Sequence, residues 1–214
     1  MSIWLAFDAG SPCTSAAVAH SGALLAEVAS ESRSGPSLLH QIDDCLRRAG
    51  IAAGELAGIV ALSGPGSFTG IRVTLATALG LRAALAAPVL SLTNLAGLAL
   101  CAAPEEAPRI LALIDALRDE WFVQQFRCDG PDLRATGAPE RRSASAVAAA
   151  PGTVLAAPHG QPLPAHLAEL PVRRAQALAT AVAVAASAGR LDELLSADLE
   201  AHYLRAFTPR DPRA

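Results

Sequence analysis

The stretch that decides the fold is Ser63-Gly64-Pro65-Gly66-Ser67-Phe68-Thr69-Gly70-Ile71-Arg72. An apolar run, Ile59 to Leu62, leads into it, and a long helical pattern, Val73 to Ala86, follows it. This order is typical of a βα unit whose turn lies at the carboxyl end of a strand. Glycines at 64 and 66 permit positive φ or close backbone approach, and Pro65 stiffens the turn. Ser67 or Thr69 can cap the helix that follows.

The glycine spacing excludes several nucleotide-binding and nucleophile motifs. Gly64, Gly66 and Gly70 are spaced one residue too widely for G-x-G-x-x-G, and Ile71-Arg72 replaces the G-K-[ST] ending of a phosphate loop. Because Ser67 directly follows Gly66, no G-x-S-x-G nucleophile elbow is present. The glycine pattern alone therefore leaves open whether this turn does more than begin a helix.

The longer string at 63–85, "SGPGSFTGIRVTLATALGLRAAL", resembles the signature of the TsaB (YeaZ) family. That family supplies a partner subunit of the bacterial machinery that makes threonylcarbamoyladenosine on tRNA. Two further segments extend the resemblance, "LALIDALRDEWFVQQF" at 111–126 and "ADLEAHYLRAF" at 197–207. In the first of them, Leu117 stands where the family usually has arginine, and Arg118 comes one residue later.

The beginning of the chain resembles the actin/Hsp70/sugar-kinase (ASKHA) superfamily. A strand at Ile3 to Phe7 leads into Asp8-Ala9-Gly10-Ser11, and a hairpin follows. The resemblance implies a turn that serves nucleotide phosphate and metal, although Asp8 could equally accept hydrogen bonds from turn amides. The superfamily's adenosine glycines are reduced to Gly160, within 158–162. We therefore expect Asp8, Gly10 and Ser11 to be at most a vestigial nucleotide contact.

The remaining pattern predicts a second hairpin and further βα units. The predicted strands and helices are 15–19, 24–28, helix 37–49 closed by Gly50, 89–90, helix 93–101 capped by Thr93, 109–114, 121–126, a short strand or loop within 130–139, helix 143–150, 153–156 and helix 175–188 closed by Gly189. Two halves that each begin with a hairpin indicate an α/β fold of ASKHA type, with mixed sheets in two lobes and a reduced second lobe. We expect the lobes at 1–103 and 109–214, joined by the linker 104–108.

Composition excludes several classes of chemistry. The 214 residues carry a net charge of -3, and all 17 basic side chains are arginine. The absence of lysine excludes Schiff-base chemistry, a phosphate-loop lysine and a lysine general base. The arginine doublets at 47–48, 141–142 and 173–174 are too dispersed to indicate a nucleic-acid-binding surface.

Cysteine and histidine spacing predicts no metal site and no cofactor. The four cysteines include no C-x-x-C pair, which is typical of a reduced cytoplasmic protein. His40 lies near Asp43 and Asp44, but the H-x-x-x-H pair of the related TsaD subunit is missing. The uncharged stretch 83–104 is broken by Pro88 and by polar residues, and no basic n-region precedes the first apolar segment. We therefore expect no membrane span and no secretory signal.

The resemblance implies a non-catalytic subunit that pairs with TsaD, supports assembly with the ATPase TsaE and forms a homodimer when alone. The complex makes N6-threonylcarbamoyladenosine at position 37 of tRNAs that read codons starting with A, so tRNA contact is expected only through the complex. Three alternatives stay open. A stand-alone ASKHA ATPase or kinase needs Asp8 and Asp115 to converge on magnesium-nucleotide, a metallopeptidase needs the missing histidine pair, and a homodimeric scaffold differs only in its partner.

The helix after the glycine turn has two distinct faces at 100° per residue. The small face holds Thr69, Val73, Ala76, Gly80 and Ala84, and the bulky face holds Ile71, Leu75, Ala78, Leu79 and Arg82. Because an unpaired arginine against a sheet core is costly, we expect the small face on the sheet and the bulky face on a partner helix. With Leu39, Asp43 and Arg47 of the preceding helix, the bulky face forms the predicted partner interface. The other possibility is that both faces lie within the chain's own two lobes.

Overall fold

The computed structural model describes residues 2–31, 38–103 and 109–201, which form eleven strands and four α-helices. The strands are β1 (Ile3–Asp8), β2 (Thr14–His20), β3 (Ala23–Ser30), β4 (Gly58–Leu62), β5 (Val89–Leu92), β6 (Arg109–Leu117), β7 (Glu120–Asp129), β8 (Asp132–Ala135), β9 (Glu140–Ser143), β10 (Thr153–Pro158) and β11 (Val172–Ala175). The helices are α1 (Leu38–Ala49), α2 (Phe68–Ala84), α3 (Asn94–Ala102) and α4 (Ala179–Ser187).

The two sheets repeat one topology. The first has the order β3-β2-β1-β4-β5 and the second β11-β10-β6-β7-β8, with β9 paired to β7. In each sheet the first three strands are antiparallel, and the last two run parallel to the first. This repeat confirms the predicted two-lobed ASKHA fold. The second lobe is reduced, because β9 and the 3-10 helices Ala144–Ala146 and Ala165–Leu167 lie where the first lobe has α1 and α2.

The core is layered, because each sheet is apolar on both faces. Helices α1 and α2 cover the outer face of the first sheet, around Phe7, Ile59 and Cys45. Helices α3 and α4 fill the space between the sheets, α3 against the second sheet and α4 against the first. Each half therefore contributes a helix that buries the other half's sheet. Leu113, Trp121 and other apolar side chains of the second sheet pack outward against the short 3-10 segments.

Two predicted helices differ from the structure. Instead of a helix at 143–150, the chain ends β9 at Ser143 and makes one 3-10 turn, because Val147 is the only side chain of that turn region that is fully buried. One short turn with a single anchor cannot offset the cost of helix nucleation. The helix predicted at 175–188 begins at Ala179, since Ala175 still pairs with β10 as the last residue of β11. The predicted linker 104–108 and residues 202–207 of the segment at 197–207 lie outside the described residues.

The uncharged stretch 83–104 contains the end of α2, then β5 and α3. No described helix combines the length and the apolar character that crossing a membrane requires.

Candidate functional site

The glycine turn packs directly on the loop after β1. Ser67 N donates to Gly10 O at 2.8 Å, and a Cβ at Gly66 would overlap that same carbonyl oxygen. A Cβ at Gly70 would overlap the carbonyl oxygen of Ala9, so both glycines are required by backbone approach. Gly64 instead adopts a φ of 99°. Of the two candidate caps for α2, Ser67 and Thr69, Ser67 is the one used, because its Oγ accepts a hydrogen bond from Gly70 N.

Asp8 lies beneath this contact, fully buried at the end of β1. Its carboxylate accepts hydrogen bonds from Gly10 N at 2.7 Å and from Ser11 N at 3.2 Å. Burial raises the pKa of Asp8, and hydrogen bonds from Ser11, Gly10 and Asn94 oppose the rise. The amides that could meet a nucleotide phosphate at this turn are therefore directed at the chain's own aspartate.

Asn94, at the start of α3, joins this loop to the glycine turn. Its Oδ1 accepts from Gly64 N at 2.7 Å, and its Nδ2 lies within hydrogen-bond distance of Asp8 Oδ1 and Ser11 Oγ. Sequence reasoning missed Asn94. The available signal was its position directly after the Thr93 cap, at the carboxyl end of a strand parallel to β1.

A cleft of about 890 Å³ separates the two lobes beside these loops. The first lobe lines it with the loop after β1 and the glycine turn, and the second lobe with Ile114, Asp115, Leu117 and residues 158–161. Its described lining contains the carboxylates of Glu31 and Asp115 and no arginine. A nucleotide phosphate in this cleft would thus meet two carboxylates and no arginine or lysine, and His159 is the one other ionisable side chain of the described lining.

Asp115 makes hydrogen bonds within the second lobe. Its N–H donates to Gln161 Oε1 at 2.8 Å, and its Oδ1 accepts from Leu117 N at 2.7 Å. Asp115 lines the cleft, whereas Asp8 is buried behind the first lobe's loop and is absent from the lining. The two carboxylates therefore do not face one another across open space, as shared binding of magnesium-nucleotide would require.

The orientation predicted for α2 is wrong. Its bulky face lies on the first sheet, with Ile71, Leu75 and Ala78 buried within the chain, together with Thr74. The small face is exposed instead: it comprises Thr69, Val73, Ala76, Gly80 and Ala84. The physical reason is the position of Arg82, which lies in the last turn of α2 and is exposed, so the bulky side chains can pack without burying its charge.

Five of the predicted interface residues remain on the surface. Leu39, Asp43 and Arg47 are exposed on α1, and Leu79 and Arg82 are exposed on α2. Helices α1 and α2 contact each other on the first sheet, and the exposed residues of these two helices are here called the α1–α2 face. Arg47 bonds with Asp43 and Asp44 of its own helix, at 3.2 and 3.0 Å.

The described residues contain no group of three or more metal-ligating side chains. All four cysteines are free thiols. Burial raises the pKa of Cys45 to about 11 and of Cys101 to about 12, so these two thiols stay protonated near neutral pH and are poor nucleophiles.

Comparison with known proteins places these observations in a family. The family model described as "TsaD: tRNA N6-adenosine threonylcarbamoyltransferase" matches residues 27–169, about two thirds of the chain. The chain belongs to this family. Its predicted place in the TsaB (YeaZ) group is also confirmed, by one sequence relative and two solved structures. The chain is therefore a member of a threonylcarbamoyladenosine biosynthesis family.

The sequence relative is the tRNA threonylcarbamoyladenosine biosynthesis protein TsaB of Haemophilus influenzae, 34% identical over 89 residues. That match covers 41% of this chain and only 38% of the relative. YeaZ from Pseudomonas aeruginosa superposes with a TM-score of 0.77 at 27% identity, over 95% of this chain and 100% of that one. A structure titled as an uncharacterized protein with similarity to peptidase YEAZ from Pseudomonas aeruginosa gives 0.78 at 28% identity, over 96% and 100%.

Proposed function

We propose that this chain is a non-catalytic subunit that pairs with TsaD and, with TsaE, forms N6-threonylcarbamoyladenosine at position 37 of tRNAs reading ANN codons. In the absence of TsaD the same surface pairs two copies of the chain. The complex works in the cytoplasm, and tRNA meets this subunit as part of the complex. Family membership supports the reaction, and the surface of α1 and α2 supports the pairing.

The observation that carries the proposal is the apolar character of the α1–α2 face. Four of the seven exposed large hydrophobic side chains in the described residues lie on it: Leu39 (57% exposed), Phe68 (47%), Val73 (42%) and Leu79 (45%). Exposed apolar side chains beside small residues suit close packing of a partner helix. Arg72 lies over the Phe68 ring at 4.0 Å and holds it against the helix surface.

The cleft supports a subunit without its own ATPase activity. Its described lining offers no arginine to a phosphate, and the turn amides of Gly10 and Ser11 are bonded to Asp8. Phosphoryl transfer depends on positioned cationic groups or metal to stabilise charge on the transferred group. A stand-alone ATPase or kinase would have to stabilise that charge without an arginine or lysine from the described lining of this cleft.

Reconstitution tests the proposal. TsaD, TsaE and an unmodified tRNA transcript are incubated with ATP and a donor of the threonylcarbamoyl group, with and without this chain. We expect modified adenosine only when the chain is present, and co-elution of the chain with TsaD in size-exclusion chromatography. Equal modification without the chain, or ATP turnover of about 1 per second or faster by the chain alone, would contradict the proposal.

A further inference from the structure

Three arginines lie side by side across the second sheet. Arg109 of β6 is the direct cross-strand partner of Arg127 on β7, and Arg127 is the direct partner of Arg134 on β8. Direct partners point to the same face of a sheet. All three side chains are exposed on the outer face, away from α3 and α4, because their neighbours Ile110, Phe126 and Leu133 point into the core between the sheets. We call this set the arginine row.

Neutral polar side chains border the arginine row. Thr153 of β10 continues it beyond Arg109 in register. Gln125 lies on β7 two residues before Arg127, and Thr136 lies directly after β8. Thr136 N donates a hydrogen bond to Gln125 O at 2.9 Å. A groove of about 410 Å³ passes over Arg109, Arg127 and these three polar residues. Hydroxyl and amide groups beside guanidinium groups are suited to bind phosphate oxygens.

The register of the row is unfavourable for the isolated chain. Like charges directly opposite each other destabilise a sheet, whereas opposite charges in those positions would stabilise it. Two residues further along the same strands, Asp129 and Asp132 are direct partners of each other, so neither carboxylate lies directly opposite an arginine of the row. Arg134 Nη2 lies 3.6 Å from Glu193, and both side chains are exposed. Neither Arg109 nor Arg127 makes an ion pair with another described residue.

We propose that the arginine row binds the phosphate backbone of an RNA, which in the complex is the tRNA. This inference rests on the proposed function for the identity of the RNA. Phosphate is the occupant that the geometry favours, because arginines whose Cα atoms lie at cross-strand spacing, about 5 Å apart, can extend their guanidinium groups to neighbouring phosphate oxygens without reading any base. The sequence alone does not reveal the row, because Arg109 lies 18 residues before Arg127, and Arg127 lies 7 residues before Arg134.

The salt dependence of tRNA binding tests the row. Affinity of the reconstituted TsaD complex for an unmodified tRNA transcript is measured against monovalent salt, with this chain as wild type or as Arg109→Gln/Arg127→Gln. Each lost phosphate contact lowers the slope of log affinity against log salt by about 0.7–0.9. We expect a slope smaller by about 1.5 and binding at least about tenfold weaker near 0.1 M salt. The control is Arg141→Gln/Arg173→Gln, which removes two other exposed arginines of this lobe.

Each other outcome overturns the row as an RNA site. An unchanged slope shows that Arg109 and Arg127 contact no phosphate, and an equal change in the control shows that only net charge matters. If the double variant binds TsaD less well but the assembled complex binds tRNA with unchanged affinity, the row contacts a protein and not RNA. Full competition by inorganic phosphate at matched ionic strength identifies a small-anion site. If the wild-type chain does not bind TsaD, the proposed function fails first, and the same slope comparison with the chain alone still decides the row.

Discussion

Asn94 Nδ2 donates a hydrogen bond to Asp8 Oδ1 across 3.2 Å, although 86 residues separate them in the sequence. Both side chains are fully buried, and Asn94 Oδ1 also accepts from Gly64 N. This single amide therefore joins the loop after β1, the glycine turn and the start of α3. The arrangement fixes the loops on the first lobe's side of the cleft without any ligand.

Replacing Asn94 by alanine tests this link. We expect Asn94→Ala to lower the free energy of unfolding by about 2–3 kcal/mol, because the buried Gly64 N–H loses its acceptor and Asp8 Oδ1 keeps only the hydrogen bond from Gly10 N. Chemical denaturation followed by circular dichroism measures the change. Thr93→Ala, which removes only the cap of α3, is the control and should cost about 1 kcal/mol. An Asn94→Ala protein as stable as wild type would show that water replaces the amide at no cost.

The stability of the protein should depend on pH through Asp8. Because burial raises the pKa of Asp8 above its ordinary value of 3.8, the folded chain holds a proton at pH values where the unfolded chain has released it. The contribution of Asp8 to stability should thus grow as pH falls through the folded pKa toward 3.8, and be lost as pH rises.

Denaturation of wild type and Asp8→Asn over a series of pH values measures this contribution. We expect the difference in unfolding free energy, wild type minus variant, to increase on acidification. A difference that decreases on acidification would mean that the hydrogen bonds to the carboxylate outweigh its burial.

The two glycines of α2 give a matched pair. A Cβ at Gly70 would overlap the Ala9 carbonyl oxygen, whereas a Cβ at Gly80 has nothing within 4 Å. We expect Gly70→Ala to destabilise by about 2–4 kcal/mol, since the loop must move away. Gly80→Ala should stabilise by up to about 1 kcal/mol through helix propensity. Thermal unfolding of both variants separates the two effects, and equal melting temperatures would contradict the close approach at Gly70.

A charged residue introduced at a buried or at an exposed position of α2 tests which face of the helix lies on the sheet. Leu75 is buried on the first sheet, so Leu75→Glu should unfold the chain or lower its melting temperature sharply. Leu79 is exposed, so Leu79→Glu should melt within a few degrees of wild type. Circular dichroism on both variants checks the orientation of the helix. A Leu75→Glu protein that melts at the wild-type temperature would show that the bulky face lies on the surface.

The sequence predicted the hairpin that opens each lobe and the glycine turn, because these depend on local turn residues and on apolar runs. It failed at α2, where both faces are apolar and periodicity alone cannot tell which one lies on the sheet. It missed Asn94 and the arginine row for a different reason. Both bring together residues that are distant in sequence: the arginine row depends on strand register, and the only local signal for Asn94 is its position after the Thr93 cap.

The most direct test of the account is the affinity of TsaD for Leu79→Glu. Because Leu79 is exposed on the α1–α2 face, a charge there should leave the fold intact and disfavour a packed interface by about 2 kcal/mol or more. Isothermal titration calorimetry should therefore give a dissociation constant about 30-fold higher than for wild type. Leu24→Glu, on the edge strand β3, should bind like wild type. A folded Leu79→Glu protein that binds TsaD with wild-type affinity would contradict pairing through this face.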